Sequence, residues 1–226
     1  MAGRRTYGSY DDGCAAAHAL DIIGERWSMS IVRELVLGPK RFVELQRDVA
    51  GIGPTILARR LEGLAAKGVL RRNPGGRETG GHVYELTEWG YQLEHVNAAL
   101  GAWGARSAAL PRKAAMTPDT IVLAMRAHLA HASGVRTPRS VLLDIRDTRT
   151  PGTSTATYIA SLTAQGASIA RTDTPTPGGC DAALTCSTEA LKNVIIVGAD
   201  WGRTDDFHVT GDRAAVDDLI EAARFR

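Results

Sequence analysis

A chain of 226 residues, 44% of them hydrophobic, is long enough to bury one large core or two modest ones. The net charge of +2 excludes a polycation, although residues 1–113 contain 16 Lys and Arg against 12 Asp and Glu and are the half suited to an anionic partner. Three cysteines without a pairing pattern, no signal-peptide core and no run of about 20 apolar residues lead us to expect a soluble, cytoplasmic protein.

Three short helices are predicted at the start of the chain. Asp12 is a candidate N-cap for a helix over 14–23, and Gly24 ends it. Apolar residues at helical spacing predict a second helix over 26–37 and a third over 41–49. The second helix has the widest apolar stripe, which places it at the centre of its domain.

The next predicted helix, 54–67, has the clearest boundaries in the chain. Pro54 fits the first helical position, and Gly68 fits the left-handed residue that follows a helix end. Leucines recur along one face, while Thr55 and Arg59 lie on the opposite face. We therefore expect this helix to bury its leucines and to present a polar, basic face to solvent.

Two β-like runs follow, 69–72 and 82–86, around a Gly-rich loop that contains Arg77. This pattern predicts a β-hairpin with a basic tip. An outward arginine on a short helix, followed by a basic hairpin, is typical of the DNA-reading half of a winged helix-turn-helix. Solvated arginines on an ordinary amphipathic helix and a surface hairpin would give the same pattern.

A longer helix is predicted over 87–106, with Thr87 as its cap. Its apolar residues repeat every three or four positions, which is typical of a seam shared by two helices. We expect this seam to join two copies of the chain into a homodimer, and packing on its own domain is the alternative. The seam consists of Trp89, Leu93, Val96, Leu100 and Trp103.

The second half of the chain has a different pattern. Residues 107–116 are predicted to link an N-terminal domain, 1–106, to a second domain, 117–226, whose first helix is capped by Thr117. Five β-like runs and two further helices predict an α+β fold with helices on one face of a mainly antiparallel sheet. The runs are 141–145, 156–162, 167–171, 182–186 and 207–209, and the helices are 188–197 and 213–224.

The first half resembles a known family. The segments CAAAHALDIIGERWSMSIVRELVLGPKRFVELQ, GIGPTILARRLEGLAAKGVLRR and YELTEWGYQLEHVNAALGAWG closely resemble the HxlR family of bacterial winged-helix transcriptional regulators, over residues 14–104. The resemblance implies a homodimer on a two-fold symmetric operator, with helix 54–67 in the major groove and the wing, 74–82, at the backbone or minor groove. The chain departs from the family's usual polar pair at Ala58-Arg59 and from its frequent proline at Ala15, so the operator sequence cannot be transferred.

Six side chains are predicted to contact DNA. Arg59 can offer paired donors to guanine O6 and N7, and Thr55 can contact a base edge or a phosphate. Arg77, at the predicted wing tip, can enter a narrow minor groove or meet phosphates. The other three are expected to contact phosphates and set the register: Lys40, Arg41 and Arg60.

The end of the chain resembles a second family. The stretch CDAALTCSTEALKNVIIVG…FHVTGDRAAVDDLIEAARF, within 180–225, resembles the sterol-carrier-protein type of lipid-binding domain. We expect this domain to hold an apolar or aromatic small molecule in a cleft between sheet and helices, and its binding to release or rearrange the regulator on DNA. The side chains predicted to line the cleft are Met125, His128, Leu129, Trp201 and Phe207.

Motifs of enzymes and cofactor sites do not occur in the sequence: there is no Walker loop, G-x-S-x-G, H-E-x-x-H or C-x-x-C. We therefore expect neither catalysis nor a cofactor or metal. Two alternatives to a ligand-responsive regulator remain. One is a thiol-based redox regulator, because the HxlR resemblance implies an oxidant-sensing cysteine near Cys14 and a helix N-terminus favours the thiolate. The other is a lipid carrier whose winged helix serves protein contacts.

Overall fold

The computed structural model describes residues 9–75, 81–129, 137–149, 152, 155–173 and 179–224. The chain divides into two compact units, Met1–Ala99 and Leu100–Arg226. The predicted linker over 107–116 stays a prediction. No helix among the described residues is long and apolar enough to cross a bilayer.

The first unit and the helix that leaves it follow the winged-helix order. Two strands of the wing pair as a hairpin, and a short strand before the third helix adds a third member, giving the sheet order β1-β3-β2. The sequence did not indicate this extra strand, whose two residues sit where a helix was predicted to begin. The elements are α1 (Ala15–Ile23), α2 (Ser28–Leu35), β1 (Lys40–Arg41), α3 (Phe42–Asp48), α4 (Pro54–Ala66), β2 (Leu70–Pro74), β3 (His82–Leu86), α5 (Glu88–Tyr91) and α6 (Leu93–Gly104).

Helix α4 begins and ends as its sequence predicts. Pro54 takes the first helical position, and Gly68 adopts a left-handed φ of 75° just beyond the end. The Val69 N–H donates to the Leu64 carbonyl at 3.0 Å and the Gly68 N–H to the Ala65 carbonyl at 3.0 Å, so the last carbonyls of the helix are satisfied. The buried face of the helix consists of Leu57, Leu61 and Leu64.

The helix predicted over 87–106 is broken into α5 and α6 at Gln92. Thr87 caps α5 as predicted, because its hydroxyl accepts from the Gly90 N–H at 3.0 Å. Gly90 is buried, and a Cβ at this position would lie 2.0 Å from the Val69 carbonyl oxygen. The short α5 thus packs directly on the backbone that leads into β2.

The second unit contains one five-stranded sheet with the order β6-β5-β4-β7-β8. The predicted mainly antiparallel sheet is in fact mixed: β4 and β7 are parallel, and the other three pairings are antiparallel. The connection from β6 to β7 crosses two strands, which places β7 beside β4 in the same direction. The strands are β4 (Arg139–Arg146), β5 (Thr155–Thr163), β6 (Gly166–Arg171), β7 (Ala182–Ser187) and β8 (His208–Gly211).

Helices cover one face of this sheet. Alternate residues of β4 are buried on that face: Val141, Leu143 and Ile145. Helix α7 (Pro118–Leu129) contacts β6, while α9 (Arg213–Ala223) contacts β4 and β7 as well as α7. Between β7 and β8, α8 (Thr188–Lys192) runs into a π-helical turn over Asn193–Val197 and a 3₁₀ turn over Trp201–Arg203.

Candidate nucleic-acid interface

The solvent face of α4 carries the residues predicted to read bases. Thr55 and Arg59 are both exposed, opposite the buried leucines of the helix. Arg59 has no hydrogen-bond or ion-pair partner within the described part of the chain. Its guanidinium is therefore available to an external acceptor. Arg59 lies on a helix that follows a short turn, and its forked N–H donors match the two acceptors of guanine.

Arg60, the next residue, is engaged within the unit. Its side chain is only 16% exposed and forms an ion pair with Glu25. The Arg60 Nε also donates to the Arg26 carbonyl at 3.1 Å. These contacts tie α4 to the turn before α2. The predicted phosphate contact of Arg60 stays a prediction, and it requires the guanidinium to leave Glu25 or to serve both partners.

The prediction that Lys40 contacts phosphate is wrong. Lys40 is 4% exposed, and its Nζ lies 2.9 Å from Glu34 Oε2 and 2.9 Å from Asp48 Oδ2. Burial alone would raise the pKa of Asp48, but hydrogen bonds from Arg47 and the charge of Lys40 lower that pKa to about 2. Lys40 therefore joins α2, β1 and α3 from inside the unit, and its charge is neutralised there.

The structure says less about two further predicted DNA contacts, Arg41 and Arg77. Arg41 is half-buried, and its backbone N–H donates to the Glu44 carboxylate at 2.7 Å, which starts α3. Its side chain stays a predicted phosphate contact. Arg77 lies outside the described residues.

The wing strands carry cations that the sequence did not single out. Arg71 is paired with Glu85 at 2.8 Å across β2 and β3. Arg72 is exposed, and its Nη2 lies 3.1 Å from Nδ1 of His82 on the neighbouring strand. With Arg72 as the donor, that imidazole nitrogen is the acceptor. Arg72 is thus more available to an external partner than Arg71. This difference depends on which residues of β2 and β3 are neighbours, so only the strand register could have revealed it.

The predicted dimer seam is uncovered in the single chain. Helix α6 contains no buried residue, and Leu93 is half-buried. Helix α1 also buries none of its residues, and Leu20 on it is 50% exposed. The exposed members of the seam are Trp89, Val96, Leu100 and Trp103. Several large apolar side chains exposed together on adjoining helices are typical of an interaction surface.

Cys14 is exposed and occupies the N-cap position of α1, one residue before the first-turn position that we predicted. The backbone N–H groups of Ala17 and Ala16, in the first turn of α1, lower the pKa of the Cys14 thiol. Burial has the opposite effect on Cys186 and raises the pKa of its thiol to about 12. The surroundings of Cys14 therefore favour a thiolate, and those of Cys186 oppose one.

Three of the residues predicted to line a ligand cleft are buried in the second unit. Met125 and Leu129 on α7 have almost no accessible surface, which contradicts a position on the wall of a cleft. Trp201 is 9% exposed, and its Nε1 donates to Asp217 Oδ1 at 3.1 Å. The indole N–H of Trp201 is thus already hydrogen-bonded within the unit.

The remaining predicted ligand contacts lie nearer the surface. Phe207 is half-buried, with its ring centroid 6.0 Å from that of Trp201. The guanidinium of Arg213 lies over the Trp201 ring, 4.0 Å from its centroid. His128 is half-buried on α7. The structure brings Trp201 and Phe207 together, and it does not bring Met125 or Leu129 to the same surface.

Comparison with known proteins places the relatives of this chain in one functional class. Residues 22–110 match the HxlR-like helix-turn-helix family. The HTH-type transcriptional regulator Rv3095 of Mycobacterium tuberculosis is 37% identical over 93 residues, 41% of this chain and 58% of that protein. YtcD of Bacillus subtilis, also named an HTH-type transcriptional regulator, is 37% identical over 86 residues, 38% of this chain and 68% of that protein.

The matches leave part of each protein uncovered. This chain spans little more than half the length of the mycobacterial relative, at 58%. Among solved structures, quinone-bound YodB from Bacillus subtilis is 30% identical and covers 41% of this chain and 97% of its own, with a TM-score of 0.36. The family match ends at residue 110, so most of the second unit lies outside it.

Proposed function

We propose that this chain, which belongs to the HxlR family of helix-turn-helix transcriptional regulators, binds a two-fold symmetric DNA operator as a homodimer and reads it with α4. The observation that carries this proposal is the exposed, unpartnered guanidinium of Arg59 on the solvent face of that helix, within the described residues. Neighbouring cations do not offer the same freedom, because Lys40 is buried between two carboxylates and Arg60 is paired with Glu25.

The chemistry of α4 suits base reading. Recognition helices present their N-terminal residues to base edges in the major groove, and arginine gives guanine a bidentate partner. Thr55 lies in the first turn and Arg59 in the second, four residues later. Residues at this spacing are neighbours on one face of a helix, so both would face the same groove. Arg41 and Arg72, which are less buried than Lys40, supply positive charge for phosphates on either side.

The exposed seam on α5 and α6 supports the homodimer. Two copies that bury Trp89, Leu100 and Trp103 against each other remove from water the largest exposed apolar side chains of that region. A dimer with two-fold symmetry presents two copies of α4, and operators of this class place half-sites about 34 Å apart, one turn of B-DNA.

Selection from random DNA followed by measurement of stoichiometry tests this function. We expect the full-length protein to enrich an inverted repeat whose half-site centres are about one helical turn apart, with two chains bound per duplex. Enrichment of no sequence above the input pool would overturn DNA reading. Enrichment of a single asymmetric site with one chain bound would overturn the dimer.

Cys14 supports a second candidate function, redox sensing, because its thiol is exposed and its pKa is lowered at a helix N-cap. We propose that oxidation or alkylation of Cys14 changes DNA affinity. The test is a titration of operator binding with peroxide or benzoquinone, using the parent protein and Cys14→Ser. Loss of the response in Cys14→Ser supports sensing, and an equal response in both proteins contradicts it.

We further propose that the second unit binds an apolar or aromatic small molecule that alters DNA affinity. Support comes from the resemblance of residues 180–225 to sterol-carrier domains and from the aromatic cluster of Trp201 with the half-buried Phe207. Fatty acids and aromatic metabolites, screened by native mass spectrometry and then by operator release, test this proposal. Binding without any change in operator affinity would instead favour a lipid carrier.

A further inference from the structure

An apolar side chain projects from the first turn of α4. Ile56 is 41% exposed, although the next residue, Leu57, is fully buried. Ile56 lies three residues before Arg59, so the two side chains are neighbours on the helix surface. The base-reading face therefore combines an arginine, a threonine and a large hydrocarbon group.

The dimer seam does not account for this exposure. Most large exposed apolar side chains in the described residues belong to the seam, to α1 or to segments adjoining them: Tyr10, Leu20, Trp89, Tyr91, Val96, Leu100, Trp103 and Leu110. Within the first unit, only Ile56 and Val43 of the described large apolar residues are exposed outside that group. Helix stability does not explain Ile56 either, since a β-branched residue is a weaker helix former than alanine or leucine.

The major groove offers one apolar group to such a side chain, the C5-methyl of thymine. We propose that Ile56 reads a thymine in each half-site through this methyl group. Three residues of helix advance by about 4.5 Å, while successive base pairs are separated by about 3.4 Å, so this thymine lies within about two base pairs of the base that Arg59 contacts. The inference rests on the proposed function and adds a specificity-determining residue to it.

Replacing thymine by deoxyuridine tests the inference, because the exchange removes the methyl group and keeps base pairing. Each thymine of the selected operator is replaced in turn, symmetrically in both half-sites, and affinity is measured by fluorescence anisotropy. For the parent protein we expect one position at which binding weakens by about four-fold per half-site, the equivalent of burying one methyl group at about 0.8 kcal/mol. Ile56→Ala should bind both DNAs equally at that position, and Ile56→Val should keep part of the difference.

Val43→Ala is the matched control, because Val43 is an exposed apolar residue on α3, 66% accessible. This variant should keep the full deoxyuridine effect. Ile56 lies on the surface and alanine favours helix, so circular dichroism should show unchanged folding in Ile56→Ala. The inference is overturned if no thymine shows the effect, if Ile56→Ala retains it, or if Val43→Ala alone abolishes it. Failure of the parent protein to select any operator overturns the proposed function as well.

Discussion

Two pairs of helices in this chain carry similar apolar stripes but bury them differently. Helices α1 and α6 contain no buried residue. In the second unit, α7 and α9 bury their stripes against each other and the sheet, including Met125 and Leu219. Periodicity alone predicts an apolar face, and it does not say whether that face is covered within the chain or by another molecule. In the proposed homodimer, a second copy covers the exposed stripe of α6.

Truncation of a buried side chain should give the largest effect on folding. Met125→Ala removes fully buried methylene groups from α7 and should lower the free energy of unfolding by about 2–5 kcal/mol. Leu100→Ala, on the exposed stripe of α6, should change it by no more than about 0.5 kcal/mol in dilute protein. Urea denaturation of both variants measures the difference. Equal losses in the two would show that α6 is already packed within the single chain.

The exposed stripe should instead matter for association. Trp103 is 77% exposed, and Trp103→Ala should raise the dimer dissociation constant at least about 30-fold, because aromatic anchors at interfaces contribute 2 kcal/mol or more. Val197→Ala is the control, since Val197 is 65% exposed on the turn between β7 and β8 and is not a member of the seam. Analytical ultracentrifugation over a range of concentrations provides the measurement. An unchanged dissociation constant in Trp103→Ala would assign the seam to a different partner.

Sequence patterns predicted the parts of this fold that depend on neighbours along the chain. The capping roles of Thr87 and Thr117 are confirmed by hydrogen bonds from backbone N–H groups to their side chains. Each such cap involves residues at most three positions apart, so the residue types alone carry the signal. The residue types of Pro54 and Gly68 likewise predicted the two ends of α4.

Contacts set by the tertiary fold were not predictable in this way. Lys40 resembled a surface cation at the start of a helix, but the pairing of β1 with β3 turns it inward toward Glu34 and Asp48. The close approach of Gly90 to the Val69 carbonyl, 21 positions earlier in the chain, also depends on the tertiary fold. Met125 and Leu129 belong to an apolar stripe that could equally line a cleft or pack in a core. Their burial shows that they pack in the core.

Acid should weaken the first unit through this buried ion cluster. The pKa of Asp48 in the folded protein is about 2, below its ordinary value of 3.8, so the pairing stabilises the fold fully above about pH 4. That contribution, about 2 kcal/mol, should be lost as the pH falls from 4 toward 2. Asp48→Asn should be less stable at neutral pH and show a shallower loss over this range. Parallel profiles for parent and variant would contradict the assignment.

The proposed function depends above all on base reading by Arg59, and a comparison of operators tests this role. Affinities of the parent protein, Arg59→Ala and Arg203→Ala are measured on the selected operator and on operators changed at each base pair; Arg203 is an exposed arginine of the second unit and controls for charge. We predict that Arg59→Ala weakens operator binding by about 1–3 kcal/mol and loses preference at one base pair per half-site, while Arg203→Ala retains both. Parent-like affinity and base preference in Arg59→Ala would contradict the account.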